Sequence, residues 1–74
     1  MSSKQTRAQI ERRLNDPGGP KRVGRLIETL RESGESTAEY QPRRSTEDLA
    51  AGIRWHSYHG LSAPEESQEL DRRR

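Results

Sequence analysis

The chain has 74 residues, a formal net charge of +2 and a hydrophobic content of only 26%. So short a chain forms one small domain at most. Its lack of cysteine excludes disulfide bridges and thiolate metal sites. Because so few apolar side chains can be buried, the composition predicts a thin core with loose termini, or a partner that supplies further burial.

The first predicted helix covers residues 6–15. It begins at Thr6, where the spacing T-x-x-Q is typical of a capping box. Its apolar face is thin, with Ile10 and Leu14 one helical turn apart. The prolines and glycines of residues 16–20 end this helix, because neither residue type continues one readily.

The second predicted helix, residues 20–33, has the strongest pattern in the chain. Its apolar residues recur at the i, i+3, i+4, i+7 spacing of one helix face: Val23, Leu26, Ile27 and Leu30. Gly34 follows as a natural C-terminal stop. The polar residues 34–45 then predict a connector in which Tyr40 is the one expected anchor.

A third helix is predicted over residues 46–59, capped by Ser45 and ended by Gly60. Residues 62–74 predict a short helix or a flexible tail, because they offer almost no apolar face. The arginines at its end, Arg72 to Arg74, are expected to be solvated.

These elements predict an all-α fold for residues 1–74, a single small domain of three to four short helices. No period-two pattern indicates a strand. We expect helices 20–33 and 46–59 to form the core pair, with Leu49 and Ile53 packed on the apolar stripe of the second helix.

The third helix carries a second apolar stripe that its partner helix cannot cover at the same time. Trp, Tyr and Arg are the residue types most enriched at the centres of protein interfaces. The stripe and its flanks therefore predict a protein-binding patch of Ala51, Arg54, Trp55, Tyr58 and His59. The alternative is that Trp55 is simply the largest core residue.

Basic clusters support a second hypothesis, a nucleic-acid-binding accessory protein that contacts phosphates. The expected contacts are Arg12, Arg13, Lys21, Arg22, Arg43 and Arg44. Acidic residues are nearly as numerous as basic ones, so a weak overall field is expected. Helix 62–74 is not expected to read a groove, because Glu66 stands where a docking apolar residue is needed and Glu65 and Glu69 would repel phosphates.

No residue pattern predicts catalysis, a cofactor or a metal. His56 and His59 have a helical spacing of three, but no further ligands stand at a convincing spacing. No apolar stretch approaches the length of a membrane span, and the N-terminal residues lack a secretory signal, so a cytoplasmic location is expected. Self-association is compatible with both hypotheses, and the preference for Arg over Lys is typical of a high-GC bacterial or phage genome.

Overall fold

The structure is a computed structural model that describes residues 3–14, 16 and 19–74. This part of the chain has no β-strand and contains four α-helices and one 3₁₀ helix. Their bounds are α1 Ser3–Arg13, α2 Pro20–Glu32, the 3₁₀ helix Ala38–Arg43, α3 Thr46–Tyr58 and α4 Pro64–Arg73. The all-α prediction is confirmed. Asn15, Pro17 and Gly18, at the predicted end of the first helix and its turn, lie outside the described residues.

Helix α1 begins three residues before the predicted capping box. Thr6 therefore lies inside the helix and is buried, so its prediction as the N-terminal cap is wrong. A capping pattern marks the start of a helix only where a helix-breaking residue stands before it. Residues 3–5 contain no proline or glycine, so the helix continues toward the N-terminus past Thr6.

The apolar stripe of α2 packs against α1 and the 3₁₀ helix. The cluster consists of Ile10, Val23, Ile27, Leu30 and Tyr40, all buried, with Leu14 and Leu26 packed at its edge. Leu49 of α3 is also buried but lies outside this cluster, and Ile53 is only half-buried. The predicted pairing of helices 20–33 and 46–59 is confirmed, because α2 and α3 pack together. Leu49 and Ile53 do not belong to the cluster on the apolar stripe of α2, so that detail of the prediction is wrong.

Two glycines end α2 and α3 in the left-handed conformation that favours glycine. Gly34 has φ of 81° and Gly60 has φ of 72°. After α2 the Glu35 amide donates to the Leu30 carbonyl at 3.1 Å, and the equivalent bond after α3 is 2.7 Å long. Helix α3 is capped as predicted, since Ser45 Oγ accepts from the Asp48 amide at 3.0 Å.

The segment that was predicted as a polar connector forms a 3₁₀ helix that packs into the fold. Tyr40 and Gln41 are 1% and 2% exposed. The Gln41 amide donates to the Thr37 carbonyl at 3.0 Å, and Arg7 donates to the Tyr40 hydroxyl at 3.2 Å. The composition of the segment was misleading, because these polar groups are buried with hydrogen-bond partners and do not need water.

Helix α4 docks through charged side chains. Glu66 is 0% exposed and Glu69 is 8% exposed. The Arg73 guanidinium donates to backbone carbonyls at the end of the 3₁₀ helix. Arg72, Arg73 and Arg74 are all exposed residues, as expected, but the Arg73 guanidinium is bound to the fold and is not simply solvated. Among the described residues, no helix has both the length and the apolarity that crossing a membrane requires.

Candidate binding surface

A network of charged side chains joins α2, α3 and α4. Arg44 Nη1 lies 3.2 Å from Glu66 Oε2, and Arg31 Nη2 lies 2.6 Å from Glu66 Oε1. Arg44 also donates to Gln41 at 3.0 Å and to Asp48 at 2.5 Å. Within the described part of the chain, no buried side-chain nitrogen or oxygen lacks a hydrogen-bond partner.

Two groups in this region, Arg31 and Glu65, have pKa values shifted toward their charged forms. Burial alone would lower the pKa of Arg31, but hydrogen bonds to Glu66 and Glu65 outweigh it and raise the pKa. Burial alone would raise the pKa of Glu65, but hydrogen bonds from Thr37 and Arg31 outweigh it and lower the pKa. These groups are therefore held ionised in the folded protein.

His56 belongs to this network and not to a metal site. The side chain is 0% exposed. Its Nδ1 lies 2.8 Å from the Gly52 carbonyl, which can only accept, so Nδ1 carries a hydrogen. Its Nε2 lies 3.3 Å from both Arg31 Nη1 and Glu28 Oε1. No group of three or more His, Cys, Asp or Glu residues in the described ranges is placed to hold a metal ion.

The five residues of the predicted protein-binding patch lie together in an open groove between α2 and α3. The groove has a volume of about 490 Å³ and is lined by Lys21, Ala51, Arg54, Trp55, Tyr58 and His59. We call it the aromatic groove. The patch hypothesis missed Lys21, which the sequence places on a different helix, although its position on the polar face of α2 was visible in the periodicity.

Trp55 is half-buried, while Tyr58 is 88% exposed. A Cβ atom at position 24 would lie 3.4 Å from the Trp55 ring, so one side of the indole packs on Gly24 of α2. The rings of Trp55 and His59 are 4.3 Å apart between centroids. Trp55 therefore shares its surface between the α2–α3 packing and the groove.

A second open groove lies between α1 and α2. It has a volume of about 300 Å³ and is lined by Gln9, Arg12, Arg13, Arg22, Arg25 and Leu26. We call it the arginine groove. It brings together Arg12, Arg13 and Arg22, which were predicted phosphate contacts, and adds Arg25. The signal for Arg25 was its helical spacing of three from Arg22.

The other predicted phosphate contacts lie elsewhere. Lys21 lines the aromatic groove. Arg43 forms a two-bond pair with Glu11 on the surface, at 2.7 and 2.6 Å. Arg44 is 3% exposed and its donors are used inside the charged network. Arg44 therefore does not present its guanidinium to a phosphate in this fold.

Charges that are interspersed in the sequence are segregated in the structure. Five basic side chains have no carboxylate oxygen within 4.0 Å among the described residues: Arg12, Lys21, Arg22, Arg25 and Arg54. All five line one of the two grooves. Of the described carboxylates, only Glu32 and Glu47 are without an ion pair. The weak overall field stays a prediction, but most carboxylates are paired with other arginines, which leaves these five cations at the two grooves.

Comparisons with protein-family models, with curated proteins and with solved structures found no match to this chain.

Proposed function

We propose that this protein is a non-catalytic interaction module that binds an acidic segment of a partner protein in the aromatic groove. The observation that carries this proposal is the placement of exposed Tyr58 beside half-buried Trp55, with Lys21 and Arg54 at the same groove. Neither of these two cations has a carboxylate partner among the described residues.

The aromatic groove has the composition of an interface centre. Tyr and Trp contribute large contact areas with few rotatable bonds, and Arg adds planar hydrogen-bond donors. Trp55 contacts Gly24 on one side and the His59 ring on another, so its side chain loses little conformational entropy when a partner binds. An apolar side chain of the partner is expected to pack on Trp55 and Tyr58.

The charge of the aromatic groove favours a partner segment that carries negative charge. Its lining contains two unpaired cations and no carboxylate. Complementary potentials speed association and exclude partners of like charge. The expected ligand is therefore a segment that places Asp or Glu next to a large apolar residue.

A selection from a random peptide library tests the proposal directly. Immobilised wild-type protein selects peptides of about 12 residues, and the bare support removes peptides that bind non-specifically. The enriched peptides should combine acidic and apolar residues. Titration calorimetry of one such peptide should show roughly 30-fold weaker binding to Tyr58→Ala, as expected for an interface centre. Arg54→Gln should also weaken binding and reduce its dependence on salt.

Matched controls separate loss of binding from loss of fold. Tyr58 is 88% exposed, so Tyr58→Ala should leave the urea unfolding midpoint unchanged, whereas Trp55→Ala should lower both stability and binding. Arg72→Gln removes an exposed cation far along the chain and should bind as wild type. Enriched peptides without acidic residues, or binding insensitive to Tyr58→Ala, would contradict the proposal. So would self-association that Tyr58→Ala abolishes, because the groove would then hold a second copy of the chain.

A further inference from the structure

The arginine groove contains several arginines that form no ion pair within the described part of the chain. Arg12, Arg22 and Arg25 have no carboxylate partner among the described residues. Arg13 is the exception, since its Nη1 lies 3.1 Å from Asp16 Oδ2. Elsewhere in the described chain, arginines such as Arg43 are paired with carboxylates and tie elements together. Unpaired arginines grouped on two packed helices therefore need an explanation other than folding.

We propose that the arginine groove is a second binding site, which holds the phosphodiester backbone of a nucleic acid. A guanidinium presents two parallel N–H donors that match two oxygens of one phosphate. Four such groups in one groove suit a ligand with regularly repeated negative charge. This site does not rest on the function proposed for the aromatic groove.

The two packed helices bring the four arginines to one groove. Arg22 and Arg25 are three residues apart on α2, so their side chains are neighbours on one helix face. Arg12 and Arg13 occupy the last turn of α1, which packs against α2. The helix backbones therefore keep the four side chains within reach of one ligand, although each exposed guanidinium is ordered only on binding.

The lining of the groove favours phosphate contacts over contacts to bases. It contains no aromatic side chain, and Leu26 is its one large apolar residue. Base stacking, which single-strand binding proteins use, therefore has no platform here. The expected binding is to the backbone, with little dependence on base sequence.

Fluorescence anisotropy with two labelled probes tests the site. The probes are a mixed-sequence DNA duplex of about 20 base pairs and an RNA single strand of about the same length. Wild-type protein should bind with a salt slope of roughly −3 to −4 on the duplex, as expected for three or four phosphate contacts. The Arg22→Gln, Arg25→Gln double variant should reduce the magnitude of that slope by about 2 and weaken binding roughly tenfold at about 50 mM salt.

A matched double variant controls for net charge. Arg72→Gln with Arg74→Gln also removes two positive charges, from side chains that are 67% and 80% exposed at the end of α4. This control should bind both probes as wild type. Tyr58→Ala should also leave nucleic-acid binding unchanged, so the two grooves are tested independently. Circular dichroism should show the wild-type helix content in the Arg22→Gln, Arg25→Gln variant, because both side chains are exposed and have no ion pair among the described residues.

Three outcomes would overturn the proposal. One is the absence of binding to either probe at about 50 mM salt. Another is equal weakening by both double variants, which would show dependence on net charge and not on the groove. The third is tighter binding of a polyglutamate peptide than of either nucleic acid, lost in Arg22→Gln, Arg25→Gln, which would make the groove an acidic-protein site.

Discussion

Arg44 and Glu66 form an ion pair in which neither side chain has any exposure to solvent, with 3.2 Å between Nη1 and Oε2. Arg44 lies just before α3 and Glu66 lies on α4, so the ion pair connects the start of α3 to α4. Arg31 of α2 reaches the other oxygen of the same carboxylate. Charged side chains thus fill an interface for which the sequence has too few apolar residues.

Glu66→Gln should strongly destabilise the fold. The substitution keeps the size of the side chain but leaves Arg31 and Arg44 without their shared charge. Removing one partner of a buried pair costs about 3–5 kcal/mol of unfolding free energy. Urea unfolding followed by circular dichroism measures this loss, and Glu32→Gln, at an exposed glutamate with no ion pair among the described residues, is the control. Similar midpoints for the two variants would contradict the buried charge network.

Gly52→Ala should destabilise α3, although alanine is the better helix former by about 1 kcal/mol. A Cβ atom at position 52 would lie 2.5 Å from Arg44 Nη2, and that guanidinium is held by Glu66 and other partners. The expected loss is about 1–3 kcal/mol of unfolding free energy.

Gly24→Ala is the matched control for this prediction. Its Cβ atom would lie 3.4 Å from the Trp55 ring, which is close to ordinary contact. Its unfolding free energy should stay within about 1 kcal/mol of the wild type. Chemical denaturation of both variants measures the two unfolding free energies. A Gly52→Ala variant as stable as Gly24→Ala would show that the Arg44 guanidinium is not fixed in place.

Arg73→Gln should loosen the contact between α4 and the 3₁₀ helix. Arg73 Nη2 lies 2.7 Å from the Arg44 carbonyl and 3.2 Å from the Gln41 carbonyl. Losing these charge-assisted bonds should cost about 1–3 kcal/mol and increase amide hydrogen exchange in residues 40–44. Arg72→Gln, at a side chain that is 67% exposed and bound only to Glu69 among the described residues, should change both quantities less. Equal effects of the two substitutions would indicate a solvated tail.

The fold should lose stability in acid. Thr37 and Arg31 hold the pKa of Glu65 down against the effect of burial, and hydrogen bonds from Arg72 and Arg73 lower the pKa of Glu69. A carboxylate with a lowered pKa in the folded state stabilises fully above its unfolded pKa of about 4.3. That contribution is lost as the pH falls through the lower, folded value.

Urea unfolding at about pH 6, 4 and 3 measures this loss. Glu65→Gln should have a lower stability at pH 6 and a shallower fall toward pH 3, because one of the linked protons is removed. Glu47→Gln, at an exposed carboxylate without an ion pair among the described residues, should retain the slope of the wild type. An unfolding free energy that is constant over this range would contradict the lowered pKa values.

The helices themselves were predictable because their signals are local. The apolar spacing of α2, the Ser45 cap of α3 and the glycine stops at Gly34 and Gly60 all depend on residues within a few positions of one another. The aromatic groove was largely predictable for the same reason, since Ala51, Arg54, Trp55, Tyr58 and His59 belong to one helix.

Pairings between distant charges were not predictable in this way. Whether Glu66 faces solvent or Arg44 depends on how α4 packs against α3, and the same residue type suits both places. The sequence by itself determined where the chain is helical and which helix carries the aromatic side chains. Only the tertiary structure decided which arginines form ion pairs with carboxylates and which remain unpaired on the surface. The reason is that an ion pair requires two groups to meet in space, and residues such as Arg43 and Glu11 are 32 positions apart in the sequence.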